Sequence, residues 1–172
     1  MKGTFSAGND CIKNCILNPN LMHNRYNGDY TYYNLWSADN KTTSANDNPV
    51  NKTIYDPCPV GFKLPASNAF TGFTTTGESV SSSTQVNGTW SSSEKVGILY
   101  KFRKTQSIFF PALGYRSYST MRPGSIGTQG CFWSAHPVAK GNNYYLRTSS
   151  VDVQPTYMVD RGFGYALRPC QD

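Results

Sequence analysis

Charge is scarce in this chain, and so are long apolar runs. Lys, Arg, Asp and Glu make up 15% of its 172 residues and the hydrophobic types 38%. No stretch is long enough and apolar enough to span a bilayer as a helix. Met1-Lys2-Gly3-Thr4 leads into polar residues without the apolar core of a signal peptide. The net charge of +6 is not gathered into a basic run: residues 1–114 carry 10 cations against 7 anions, residues 115–172 carry 6 against 3, and the densest cluster is Lys101, Arg103 and Lys104. A phosphate-backbone footprint clusters more heavily, so nucleic acid is not an expected partner.

Catalytic and metal motifs are missing as well. No Gly-x-Ser-x-Gly elbow occurs, and Gly124-Ser125-Ile126-Gly127-Thr128-Gln129-Gly130 lacks the lysine of a phosphate loop and reads as turns. Cys11 and Cys15 are not matched by a second close Cys/His pair of the kind a zinc site needs. The two histidines are His23 and His136. Cys131 near His136 invites a thiol-nucleophile reading, yet Cys131 stands in a strand-like run, away from any helix N-terminus that would lower its pKa. No catalytic residue, metal or cofactor is expected, and the chain reads as a non-enzyme.

Asn, Ser, Thr, Gly and Tyr fill the space left. Ser and Asn compete with helical hydrogen bonds, and Tyr and Thr suit pleated surfaces, so turns and strands are favoured. Aromatics at 14% are spread along the chain, which argues against disorder. One domain of this length buries roughly 70% of its unfolded surface, enough to fold without metal or many disulfides. The low charge and abundant Asn and Ser read as an extracellular surface, on a cell or a virion; an exported chain of this kind would be a fragment of a longer precursor.

Residues 1–29 are turn-rich and read as an arm or linker, followed by a domain over 30–172. Tyr30 to Trp36 is the first strand-like run. Pro57 and Pro59 rule out a central strand and imply a rigid turn. Ala66, Ala69, Phe70 and Phe73 fall at helical spacing behind Pro65. Thr74–Ser93 reads as a surface loop. Strands are predicted at Gly97–Phe102, Ser107–Ala112, Gly130–Ala135, Tyr144–Ser149 and Tyr165–Arg168. The class is therefore α+β: short, mostly antiparallel strands, one or two helices and long irregular loops.

Three stretches carry a resemblance: Ile54-Tyr55-Asp56-Pro57-Cys58-Pro59-Val60-Gly61-Phe62-Lys63-Leu64-Pro65; Ile108-Phe109-Phe110-Pro111-Ala112-Leu113-Gly114-Tyr115-Arg116; and Gly124 to Ala135 with Tyr144-Tyr145-Leu146 and Gly164-Tyr165-Ala166-Leu167-Arg168-Pro169. In order and spacing they resemble a paralogous surface domain of gut and rumen bacteria, often borne at the end of fimbrillin-like or lipoprotein chains. The C-terminal part is similar to the variable proteins of diversity-generating retroelements. The resemblance covers about residues 30–172. It implies a C-type-lectin-like fold, cell-surface ligand binding or adhesion to a protein or glycan, and a binding surface in the C-terminal third. A fimbrial structural subunit is the alternative; an enzyme of formylglycine-generating type is less well matched, because its paired active-site cysteines have no counterpart.

Within that frame, Gly114, Gly127, Gly130 and Gly164 suit tight turns or close approach. Trp133 reads as a core anchor, and Arg161 and Arg168 as loop braces. Tyr118, Cys131, His136, Tyr144, Arg147, Asp152, Thr156, Tyr157, Val159, Asp160 and Phe163 are the candidate ligand-binding residues, with Val138 beside them. They interleave with frame residues Leu146, Val153, Pro155, Arg161, Gly164 and Arg168, as adenine-directed diversification of Asn codons would leave them; Lys140, Gln154 and Met158 do not fit that pattern. Calcium-dependent sugar binding is not expected, since the Glu-Pro-Asn and Trp-Asn-Asp strings are absent and only Asp152, Asp160 and Asp172 supply late carboxylates. Because such domains bring their two ends together, a Cys58–Cys170 bridge and two separate thiols both remain open.

Overall fold

The computed structural model describes residues 16–19, 36–38, 44–138 and 141–172. Apart from residues 16–19, the predicted arm lies outside the described residues, Cys11, Cys15 and His23 with it, as do Lys140 and most of the Tyr30–Trp36 run.

Among the described residues ten short strands follow in chain order: β1 (Phe62–Lys63), β2 (Gly88–Ser91), β3 (Gly97–Arg103), β4 (Gln106–Pro111), β5 (Tyr115–Arg116), β6 (Pro123–Gly124), β7 (Gln129–Pro137), β8 (Asn142–Ser149), β9 (Val153–Asp160) and β10 (Cys170–Gln171). They form antiparallel sheets ordered β2-β3-β4 and β7-β8-β9, with the pairs β1-β10 and β5-β6. Among the described residues after 44, the helical segments are 3₁₀: Ser67–Phe73 and the turn Ser83–Gln85. The broad class is α+β.

The predicted helix is tighter than its spacing implied. Ser67, Phe70 and Phe73 are its buried residues, three apart, which is the period of a 3₁₀ helix. Ala69 is exposed. Gly72 and the Ser, Asn and Thr of this run weaken an α-helix, and packing against β9 is left to decide.

Phe70, Phe73, Ile98, Phe110, Phe132, Leu146 and Val153 form the main core between the two three-stranded sheets and the 3₁₀ segment. Phe73 stacks on Tyr100 at 4.0 Å and meets Phe110 edge-on at 4.9 Å. Arg168 stands over the Phe110 ring at 5.0 Å, bracing by cation–π contact rather than by the charge-assisted hydrogen bond expected. Arg161 does hydrogen-bond a loop carbonyl: its Nε donates to Gly141 at 3.3 Å.

Three segments depart from the sequence reading. Tyr165–Arg168, predicted as a strand, carries only an isolated bridge from Ala166 to Phe132. Thr74–Ser93 holds β2 and a buried Val80, whose main chain exchanges hydrogen bonds with Val153 at 2.9 and 3.0 Å. Val153–Asp160 is not among the predicted strands and forms the edge strand β9. Pro155 hides it in the sequence, because proline marks edges and bulges; here it lies where the pairing shifts between Tyr145↔Tyr157 and Arg147↔Gln154.

The segment just after Cys58 pairs with the C-terminal residues through β1 and β10, but Cys58 and Cys170 are free thiols. Cys170 Sγ donates to the Lys63 carbonyl at 3.4 Å. The turn from Asp56 to Phe62 is rigid for a reason the prolines only half reveal. Lys52 Nζ donates to the carbonyls of Cys58 (2.6 Å), Pro59 (2.9 Å) and Phe62 (2.5 Å). The buried Asp56 carboxylate accepts the N–H groups of Cys58 and Leu64 at 2.7 and 3.1 Å.

Candidate ligand-binding face

Alternation along β7, β8 and β9 sends one set of side chains to the core and the other to the opposite face. Cys131 and Trp133 on β7 lie opposite Arg147 and Tyr145 on β8, and Tyr145 lies opposite Tyr157 on β9. The sheet continues past β7. Trp133 N–H donates to Ala166 at 3.1 Å, Ala166 N–H donates to Cys131 at 3.0 Å, and Arg116 and Gly164 exchange bonds of 2.8 and 2.9 Å. Residues 164–166 thus bridge β7 to β5.

The outer face of this extended sheet is a chain of aromatic rings. Tyr157 meets Tyr145 (5.7 Å), Tyr145 meets Tyr165 (4.6 Å), and Tyr165 stacks on Trp133 (4.5 Å). Phe163 follows at 5.5 Å from Tyr165, and Tyr118 and Tyr115 meet it edge-on at 5.0 and 5.4 Å. Burial grades across the row: Trp133 and Tyr145 are 3% and 4% exposed, Phe163, Tyr118, Tyr115 and Tyr165 are intermediate, and Tyr157 is 45% exposed. At the other end of β8, Arg147 pairs with Asp152 at 3.2 Å and donates to Gln154 Oε1 at 3.2 Å. Val159 packs on the same cluster, Thr156 is intermediate, and Asp160 accepts the Gly162 N–H at 2.9 Å.

The structure divides the sequence-derived candidates. Tyr118, Arg147, Asp152, Thr156, Tyr157, Val159, Asp160 and Phe163 retain solvent exposure and mostly gather on or beside this face. Cys131, His136 and Tyr144 are buried and are corrected to packing roles. Cys131 lies beneath the rings; burial, opposed in part by the Arg147 cation, pushes its thiol up to about 12. His136 presents Nδ1 to the Ser67 N–H at 3.2 Å on the 3₁₀ side, so the two do not form a thiol–imidazole pair. Val138 is intermediate and closes the turn into β8, its N–H donating to Asn142 at 2.9 Å. Tyr115, Tyr145, Tyr165 and Gln154 are members of the face that the sequence did not single out. Period-two spacing through Phe163-Gly164-Tyr165 and Tyr145-Leu146-Arg147 is the signal that could have found them.

Burial raises the Tyr145 hydroxyl to about 12, partly offset by a hydrogen bond with Tyr165, and pushes Tyr165 up as well. These rings are neutral hydrogen-bonding surfaces at physiological pH. The three late carboxylates have separate partners, Asp152 with Arg147, Asp160 with Gly162 and Asp172 with Lys63 at 3.0 Å. Among the described residues no group of three or more His, Cys, Asp or Glu could hold a metal ion, and no helix is long and apolar enough to cross a membrane. No protein-family model, curated protein or solved structure matches this chain.

Proposed function

We propose that this chain is a non-enzymatic ligand-binding or adhesion module of C-type-lectin-like fold, displayed on a cell or virion surface. It engages a protein or glycan through the aromatic face of its C-terminal third. The observation that carries this reading is the graded row of rings from buried Trp133 to half-exposed Tyr157, flanked by the Arg147–Asp152–Gln154 polar group. Rigid aromatic side chains backed by a core supply contact area at low entropic cost, and adjacent Arg and amide groups supply directional bonds. The tied-down His136 and the protonated Cys131 support a binder over an enzyme.

The test compares the purified chain with a Tyr118→Ser/Tyr157→Ser variant for retention on immobilised mucin glycoproteins and on intact bacterial cells. Retention of the parent on at least one surface, reduced about tenfold or more in the variant at unchanged Tm, is the expected result. Equal retention by both proteins refutes this face. Concentration-dependent polymers in sedimentation would favour the fimbrial-subunit reading instead. Retroelement diversification is the finer part of the proposal. It requires a near-copy of the codons for residues 115–172, differing at adenines, beside a reverse-transcriptase gene.

A further inference from the structure

A cleft of about 390 Å³ opens between the β2–β3 ribbon and the β8–β9 turn. Its floor is apolar, formed by Val86, Ile98 and Val153 from the edge of the main core. Trp90 supplies one wall and is only partly buried. The rim carries hydroxyls, among them Ser83, Thr89 and Ser150. β2 is an edge strand, and no described strand pairs with it on the side away from β3, so part of its main-chain hydrogen-bonding capacity faces outward.

Charge narrows the occupant further. No lining side chain is cationic, and the one lining carboxylate, Asp152, is held by the Ser149 hydroxyl and by Arg147. An anionic ligand finds no counter-charge here, and a cationic one meets a carboxylate already neutralised. A wall of indole, an apolar floor and a rim of hydroxyls match a ring with one C–H face and a hydroxylated edge. Small-ligand pockets run from roughly 300 to 1,000 Å³, and this one is near the lower limit, the size for a short ligand rather than a chain.

We propose that this cleft is a metal-independent site for a neutral saccharide ring stacked on Trp90. It is separate from the aromatic face and does not rest on that reading.

The test is an NMR titration of the ¹⁵N-labelled chain with neutral hexoses and N-acetylhexosamines, run in EDTA, with glucuronate and p-cresol as contrasting probes. The indole signal of Trp90, assigned through Trp90→Phe, is expected to shift with at least one neutral sugar at millimolar concentration. Ser83→Arg and Ser150→Arg obstruct the rim without touching the core, and each is expected to weaken that binding about tenfold or more. Tyr157→Ala leaves it unchanged, which separates this site from the aromatic face. The proposal is overturned if no neutral sugar shifts the signal at about 50 mM. It is equally overturned if glucuronate or p-cresol binds as tightly as the best sugar, or if both rim variants bind like the parent.

Discussion

Lys52 shows how one side chain can hold a loop together. Its ammonium fills a cage of three main-chain carbonyls, with Asp56 Oδ1 at 4.0 Å, and so does the work that a bound cation does elsewhere. Lys52→Met leaves those carbonyls without their donor while keeping most of the packing. A loss of about 2–3 kcal/mol is expected in denaturant unfolding, with an unchanged m value. Lys52→Arg is not expected to restore the parent, because a planar fork cannot converge on three oxygens as a point charge can. Gly114 is constrained differently. Its φ of 67° lies in the left-handed region, and a Cβ there would stand 2.2 Å from the Gly124 carbonyl oxygen. Gly114→Ala is expected to cost more than about 2 kcal/mol, because conformational strain and a main-chain clash combine; a loss below about 0.5 kcal/mol would show that the turn can move aside.

Among the elements, the β7–β8–β9 sheet joins core to surface. Trp133→Ala is expected to cost about 3–5 kcal/mol, the range for removing a buried aromatic. Tyr157→Ala removes a ring that is half in water and touches Tyr145 at 5.7 Å, so a loss under about 1 kcal/mol is expected. Similar losses at both positions would mean that the outer edge of the row belongs to the core. β3, β4, β7 and β8 were legible because their apolar and aromatic residues come in short runs bounded by Gly, Asn and Pro. β9 was not, because Pro155 and the mixed Thr156-Tyr157-Met158 pattern belong to an edge strand that is buried at one end and wet at the other. Pairing with β8 supplies what local propensity does not.

For the whole molecule, burial of neutral thiols and phenols couples the fold to alkaline pH. The folded pKa values of Cys131 and Tyr145 are raised to about 12 from ordinary values of 9.0 and 10.0. Groups raised in this way stabilise the fold fully below their unfolded pKa, and that stability is lost as pH rises through the folded value. Tm is therefore expected to hold level to about pH 9 and to fall between about pH 9 and pH 12, followed by circular dichroism. A level Tm across that window would show that water reaches the aromatic row.

The sequence by itself determined the broad α+β class, the positions of β3, β4, β7 and β8, the core role of Trp133 and the rigid turn at Pro57 and Pro59. Each of these follows from local rules, period two, proline geometry or the burial of a large ring, that act within a few residues. Tertiary structure decided what depends on partners distant in the chain. It turned Ser67–Phe73 into a 3₁₀ helix by packing it under β9, and it drew Cys131, His136 and Tyr144 inward while leaving Tyr157 half in water. It also brought residues 163–165 against Trp133 to complete the aromatic face. Which side of a strand faces solvent is fixed only when the neighbouring sheet takes its place, because burial is a property of the assembled layers and not of any segment within them.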